Sequence, residues 1–146
     1  MKNEDLLEKY RNSEKKIKEV FGRQGVLLAY IFGSVPRKDA GPLSDIDFAV
    51  YFEESLPKSH RNELYLDIIN NLTETLGDEI DLVKMNDSNI LLKFNIIKSG
   101  EIIFQKSEDD KIRIESEIMR KNLDTKYYRK RHVDANIHRI AERGLK

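Results

Sequence analysis

Apolar side chains recur at Leu6, Leu7, Tyr10, Ile17, Val20 and Phe21, with Ser13 and Glu14 diluting the middle of the stripe. That spacing predicts a helix from about residue 4 to Phe21, which Gly22 and Gly25 end. Val26 to Phe32 is an unbroken apolar run, short and bounded, and reads as a buried strand. The following stretch, 33–44, is rich in turn residues and has Gly41-Pro42 as a breaker. Ile46 to Phe52 forms the second strand. Pro57 suits the first turn of a helix running to about Leu76 on Leu64, Tyr65, Ile68, Ile69, Leu72 and Leu76, and Gly77 ends it.

Beyond Gly77, the alternation from Glu79 to Met85 predicts a third strand. Asp87 or Ser88 can cap a short helix over Ile90, Leu91, Phe94 and Ile97, closed by Gly100. Glu101 to Gln105 is a last short strand, expected at a sheet edge. From Ser107 the chain reads as helical and highly charged, with a break expected at Asn122 to Thr125, where Asp124 could cap a new helix. This order favours an α+β fold, a two-layer α/β arrangement in which helices pack on a mixed central sheet. Residues 1–146 are expected to form one domain, with a core of about 4–105 and a C-terminal helical extension of about 107–146.

Composition narrows the classes. With 146 residues the chain is long enough for one buried core. Its 26 basic and 26 acidic side chains balance to zero, which argues against direct nucleic-acid binding held by counterion release. The absence of cysteine excludes disulfides, thiol nucleophiles and cysteine-ligated zinc. No apolar run approaches a bilayer's length and no signal peptide is visible, so a cytoplasmic protein is expected. His60, His132 and His138 show no metal-ligand spacing and read as surface residues.

The chemistry gathers between the first two strands. Gly33-Ser34 follows the first apolar run, ten residues intervene, and Asp45-Ile46-Asp47 opens the second strand. Residues two apart on a strand point to the same side, so Asp45 and Asp47 share a face while Ile46, Phe48 and Val50 turn toward a core. Paired carboxylates repel unless a cation lies between them, and hard oxygen donors beside a phosphate turn suit Mg²⁺ and a nucleoside triphosphate. Gly33 permits close backbone approach, and the Ser34 amide and hydroxyl can donate to a phosphate oxygen. Arg37 is a further phosphate contact or a solvated loop charge. Ser44 is counted with the nucleotide-binding set, although a turn or cap role fits it too. Asp81, between Ile80 and Leu82 in the third strand, is the candidate third acid. A charge facing an apolar core there would be costly; the bland alternative is an edge-strand acid facing solvent.

Gly33, Ser34, Asp45, Asp47 and Asp81 together resemble the signature of the minimal nucleotidyltransferases of the polymerase-β-like superfamily, and the resemblance runs from the first helix to about Gln105. Among small stand-alone members the chain resembles the MntA-type antitoxins, encoded beside a HEPN-family ribonuclease toxin. The resemblance implies a polymerase-β-like fold and transfer of AMP from ATP to a tyrosine of the toxin. It further implies that Asp45, Asp47 and Asp81 serve two Mg²⁺ ions and that Ser34 holds phosphate. Two alternatives stay open: an antitoxin that neutralises by binding alone, and a transferase acting on a small molecule or RNA end. The run from Lys126 to His132 is basic with interleaved tyrosines; it could be a solvated face, bind RNA, dock a protein partner or help hold ATP.

Overall fold

The structure is a computed structural model. It describes residues 8, 10–32, 46–77 and 79–142, with side chains as far as Arg131. Gly33, Ser34, Arg37, Ser44 and Asp45 lie outside the described residues, as does the phosphate turn expected there.

The described elements are α1 (Glu14–Phe21), β1 (Val26–Phe32), β2 (Ile46–Phe52), α2 (Lys58–Leu76), β3 (Ile80–Lys84), a 3-10 turn (Met85–Asp87), α3 (Ile90–Ser99), β4 (Glu101–Gln105) and α4 (Glu108–Glu142). The strands form one mixed sheet in the order β3-β2-β1-β4. β1 pairs antiparallel with both β2 and β4, while β2 and β3 run parallel. A parallel pair needs a long crossover, and α2 supplies it.

Alternation along the strands divides the core in two. Ile46, Phe48, Val50 and Phe52 of β2 pack with Ile17 and Phe21 of α1 and with Ile68, Leu72 and Leu76 of α2. The opposite face carries Leu28, Tyr30 and Ala49, covered by Ile96 of α3 and by Ile114 and Ile118 of α4. Helices therefore cover both faces of the mixed sheet, as the expected packing of helices on a central sheet requires. The continuous apolar run of β1 has this cause: a central strand between two helical layers buries both of its faces.

The boundaries follow local chemistry, with two corrections. Pro57 precedes α2, and Gly77 closes it at φ 94, its amide donating to the Thr73 carbonyl. α3 is capped by Asn89, whose side chain accepts from the Leu92 amide at 2.9 Å, rather than by Asp87 or Ser88. Those two positions are already engaged: Asp87 belongs to the 3-10 turn, and the Ser88 hydroxyl donates to the Lys84 carbonyl. The expected break at Asn122 to Thr125 is absent, since α4 runs continuously through it. There the Thr125 hydroxyl bonds back to the Lys121 carbonyl, and Asn122 is buried on the sheet-facing side. The start of α4 is well capped, the Ser107 hydroxyl accepting from the Asp110 amide and donating to the Asp110 carboxylate. Among the described residues no helix is long and apolar enough to cross a membrane.

Candidate active site

Two of the three candidate acids can be placed. Asp47 lies one residue into β2 and pairs laterally with Phe32, the last residue of β1. On its other side it pairs with Asp81 of β3 in parallel register. Residues paired in register point to the same face of a sheet, on strands about 4.8 Å apart. Asp47 and Asp81 therefore stand side by side, on the face that Ala49 and Val83 share with α3 and α4. Asp47 is partly exposed and Asp81 exposed.

Local chemistry fixes Asp81. β3 is an edge strand among the described residues, as the bland reading of this acid requires, yet its register sets it beside Asp47. One Asp81 carboxylate oxygen accepts from the Leu82 amide at 3.0 Å. The Tyr65 hydroxyl, reaching over from α2, donates to the Leu82 carbonyl at 2.9 Å. Burial raises the pKa of that hydroxyl, and the nearby Asp81 charge raises it further. Sequence pattern gave no sign of this tether, because Tyr65 reads simply as a member of the apolar stripe of α2.

Gly33, Ser34, Arg37, Ser44 and Asp45 are not among the described residues. The described ends of their segment, Phe32 and Ile46, lie at the same end of the sheet as Asp47 and Asp81. Among the described residues, from which Asp45 is missing, no group of three or more His, Asp or Glu is placed to hold a metal. A cavity of about 430 Å³ lies elsewhere, lined in part by Glu53, His60, Glu63 and Asp67. Glu53 follows the far end of β2, so the cavity and the acid pair occupy opposite ends of that strand. The basic-aromatic run lies on α4 with Lys126 to Arg131 exposed, and the Arg131 guanidinium sits 5.9 Å from the Tyr127 ring.

The model of the polymerase beta nucleotidyltransferase family matches residues 15–109, from α1 into the start of α4. The chain belongs to this family. Among curated proteins none matches by sequence. Several solved structures share the nucleotidyltransferase fold. A chain of a toxin–antitoxin crystal structure with AMP-PNP is 20% identical at a TM-score of 0.60, over 94% of this chain and 99% of that one. One from a MntA-HepT toxin–antitoxin structure is 21% identical at a TM-score of 0.60, over 87% and 98%. A third comes from a complex of a tri-AMPylated Shewanella oneidensis HEPN toxin with its MNT antitoxin; it is 21% identical at a TM-score of 0.58, over 87% and 98%.

Proposed function

We propose that this nucleotidyltransferase transfers AMP from ATP to a tyrosine of a HEPN-family toxin, with Mg²⁺, and so acts as the toxin's antitoxin. The observation that carries the reading is the lateral pairing of Asp47 with Asp81, at the sheet end where β1 leads into Gly33 and Ser34. The fold is shared with a toxin–antitoxin structure holding AMP-PNP and with one containing an AMPylated toxin, which supports this choice of donor and acceptor.

The donor set suits the metal. Like charges directly opposite across two strands are destabilising, and a divalent cation removes that repulsion. Mg²⁺ prefers oxygen ligands and is commonly held by one or two carboxylates together with phosphate oxygens. Asp47 and Asp81, with Asp45 two positions before Asp47, would hold two such ions. When bound, they would neutralise charge on the phosphate oxygens.

The remaining work belongs to the chain's own residues. Gly33 and Ser34 hold phosphate, with Arg37 and Ser44 as further nucleotide contacts. Asp81 orients the incoming tyrosine hydroxyl and accepts its proton. The tyrosine oxygen bonds to the α-phosphorus, the bond from that phosphorus to the bridging oxygen breaks, and pyrophosphate leaves with the electron pair. Most of the acceleration comes from positioning and charge neutralisation.

The test is incubation with α-labelled ATP, Mg²⁺ and a HEPN-class partner. Wild type should label the partner, and Asp47→Asn and Asp81→Asn should each transfer at least about 100-fold more slowly. Undiminished transfer by Asp47→Asn would overturn the mechanism. Neutralisation that survives in an Asp45→Ala, Asp47→Ala double variant would assign the activity to binding alone. Label on small molecules or RNA ends instead of protein would reassign the acceptor.

A further inference from the structure

The last helix carries a second apolar stripe that the fold leaves uncovered. Ile114 and Ile118 face the sheet and are buried, whereas Ile112, Met119, Leu123 and Tyr127 are 54%, 49%, 65% and 62% exposed. At 3.6 residues per turn these four fall within an arc of about 80°, centred about 160° from the face of Ile114 and Ile118. Among the described side chains, none between Leu123 and Arg131 is buried. Helical stability in proteins comes mostly from the packing of such a face, and that described stretch buries no side chain to supply it.

The charges that flank the two ends of the stripe are opposite in sign, with the exposed Arg120 beside its middle. Glu108 and Asp109, both exposed, flank its N-terminal end, while Lys126 and Lys130, also exposed, flank its C-terminal end. Turned end over end, the helix is complementary to itself. A parallel alignment would set like charges against each other.

We propose that this stripe is a self-association surface, on which two copies of the chain pack α4 against α4, antiparallel, about a two-fold axis near Met119. Ile112 of one copy then meets Tyr127 of the other, and Asp109 lies beside Lys130. The unsupported half of each helix rests on the half that the other copy anchors through Ile114 and Ile118. Such a contact is isologous, so both copies gain the same interactions. A single helix pair falls below the roughly 800 Å² per partner of a standard interface, and micromolar dimerisation is expected. The proposal is independent of nucleotide transfer.

Sedimentation equilibrium of the full chain from about 1 to 200 µM tests it. Wild type should approach twice its 17.1 kDa mass at the upper end, and Leu123→Glu should remain monomeric with an unchanged far-UV spectrum. Asp109→Lys and Lys130→Asp should each weaken the dimer at least about tenfold, and the two together should restore it. A wild type that stays monomeric throughout, or a Leu123→Glu variant that dimerises as wild type does, would overturn the proposal. So would a double charge reversal that fails to restore association. A monomeric wild type whose binding to a HEPN-class partner is lost in Leu123→Glu would assign the stripe to that partner instead.

Discussion

The Tyr30 hydroxyl donates to the Glu115 carboxylate at 2.6 Å, joining the middle of β1 to α4. Tyr30 is buried, and Glu115 is also held by Lys111 at 3.3 Å, so the carboxylate has partners on two sides. Charge-assisted bonds of this kind contribute about 1.5–3 kcal/mol. Tyr30→Phe should therefore lower the unfolding free energy by about 1–3 kcal/mol in urea titration. A double-mutant cycle with Glu115→Gln should return a coupling above about 0.5 kcal/mol. An unchanged midpoint for Tyr30→Phe would show the bond contributes nothing.

Stability should fall on the alkaline side. Burial first, then the charges of Glu14 and Glu101, push Tyr10 up to about 12. Burial and the neighbouring Glu54 likewise push Tyr51 up to about 12. Tyr30 is raised further, by burial and then by its bond to Glu115. The unfolded value is 10.0, so between pH 10 and 12 the folded state keeps protons that the unfolded chain releases. The stabilisation is complete below pH 10 and is lost as pH rises through the folded values. Urea midpoints should drop increasingly steeply above pH 10, and a midpoint constant through pH 11.5 would contradict this.

Asn86 closes the end of β2. Its side chain accepts from the Phe52 amide at 2.8 Å and donates to the Phe52 carbonyl at 2.9 Å, completing both backbone bonds of that residue. Asn86→Ala should cost about 1–3 kcal/mol. Asn86→Asp should lose a similar amount, because a carboxylate set against the Phe52 carbonyl keeps the acceptor and loses the donor. Equal stability of Asn86→Asp and wild type at neutral pH would rule the second bond out as a contributor.

Two glycines with positive φ should respond differently to alanine. A Cβ on Gly25 (φ +99) would meet Leu56 Cδ1 at 2.7 Å and Leu64 Cδ1 at 3.0 Å, whereas one on Gly77 (φ +94) would meet nothing within 4 Å. Gly77→Ala should meet only the backbone penalty of an extended, positive-φ conformation that is essentially glycine's, about 1–3 kcal/mol. Gly25→Ala adds the displacement of the ends of Leu56 and Leu64, both only partly buried, at the low end of overpacking costs, about 1 kcal/mol more. Thermal midpoints that rank the two variants in the opposite order would refute this.

What could be read from the sequence was what neighbouring residues decide. The buried strand Val26–Phe32, the second strand from Ile46, and the helix between Pro57 and Gly77 all follow from local pattern and punctuation. The cap of α3 was misplaced by one or two residues because Asp87, Ser88 and Asn89 are all competent caps, and only Asn89 is free of the 3-10 turn and its return bond. The continuity of α4 was hidden because Asn122 and Asp124 disfavour a helix locally, while burial of the Ile114, Ile118 and Asn122 face favours it. Asp81 could be suspected from its apolar neighbours, but not its lateral partner, since register between parallel strands is set by the packing of a crossover helix. The Tyr65 tether and the Asn86 clip join residues 17 and 34 positions apart, beyond the reach of any local signal.

The parallel pairing of β2 with β3 leaves the two acids unequally supported. Asp81 is carried by a five-residue strand with a single hydrogen-bonded neighbour among the described residues, whereas Asp47 is carried by a strand flanked on both sides. Edge elements open with less free energy than the whole molecule. Brief excursions of β3 would separate the two acids and withdraw Leu82 and Val83 from the two apolar layers, while β1, β2 and β4 stay paired. On the proposed mechanism, transfer would then fade on warming before the global melt begins, and amide exchange at Val83, whose neighbour Leu82 turns its own amide to the Asp81 carboxylate, would report that earlier event.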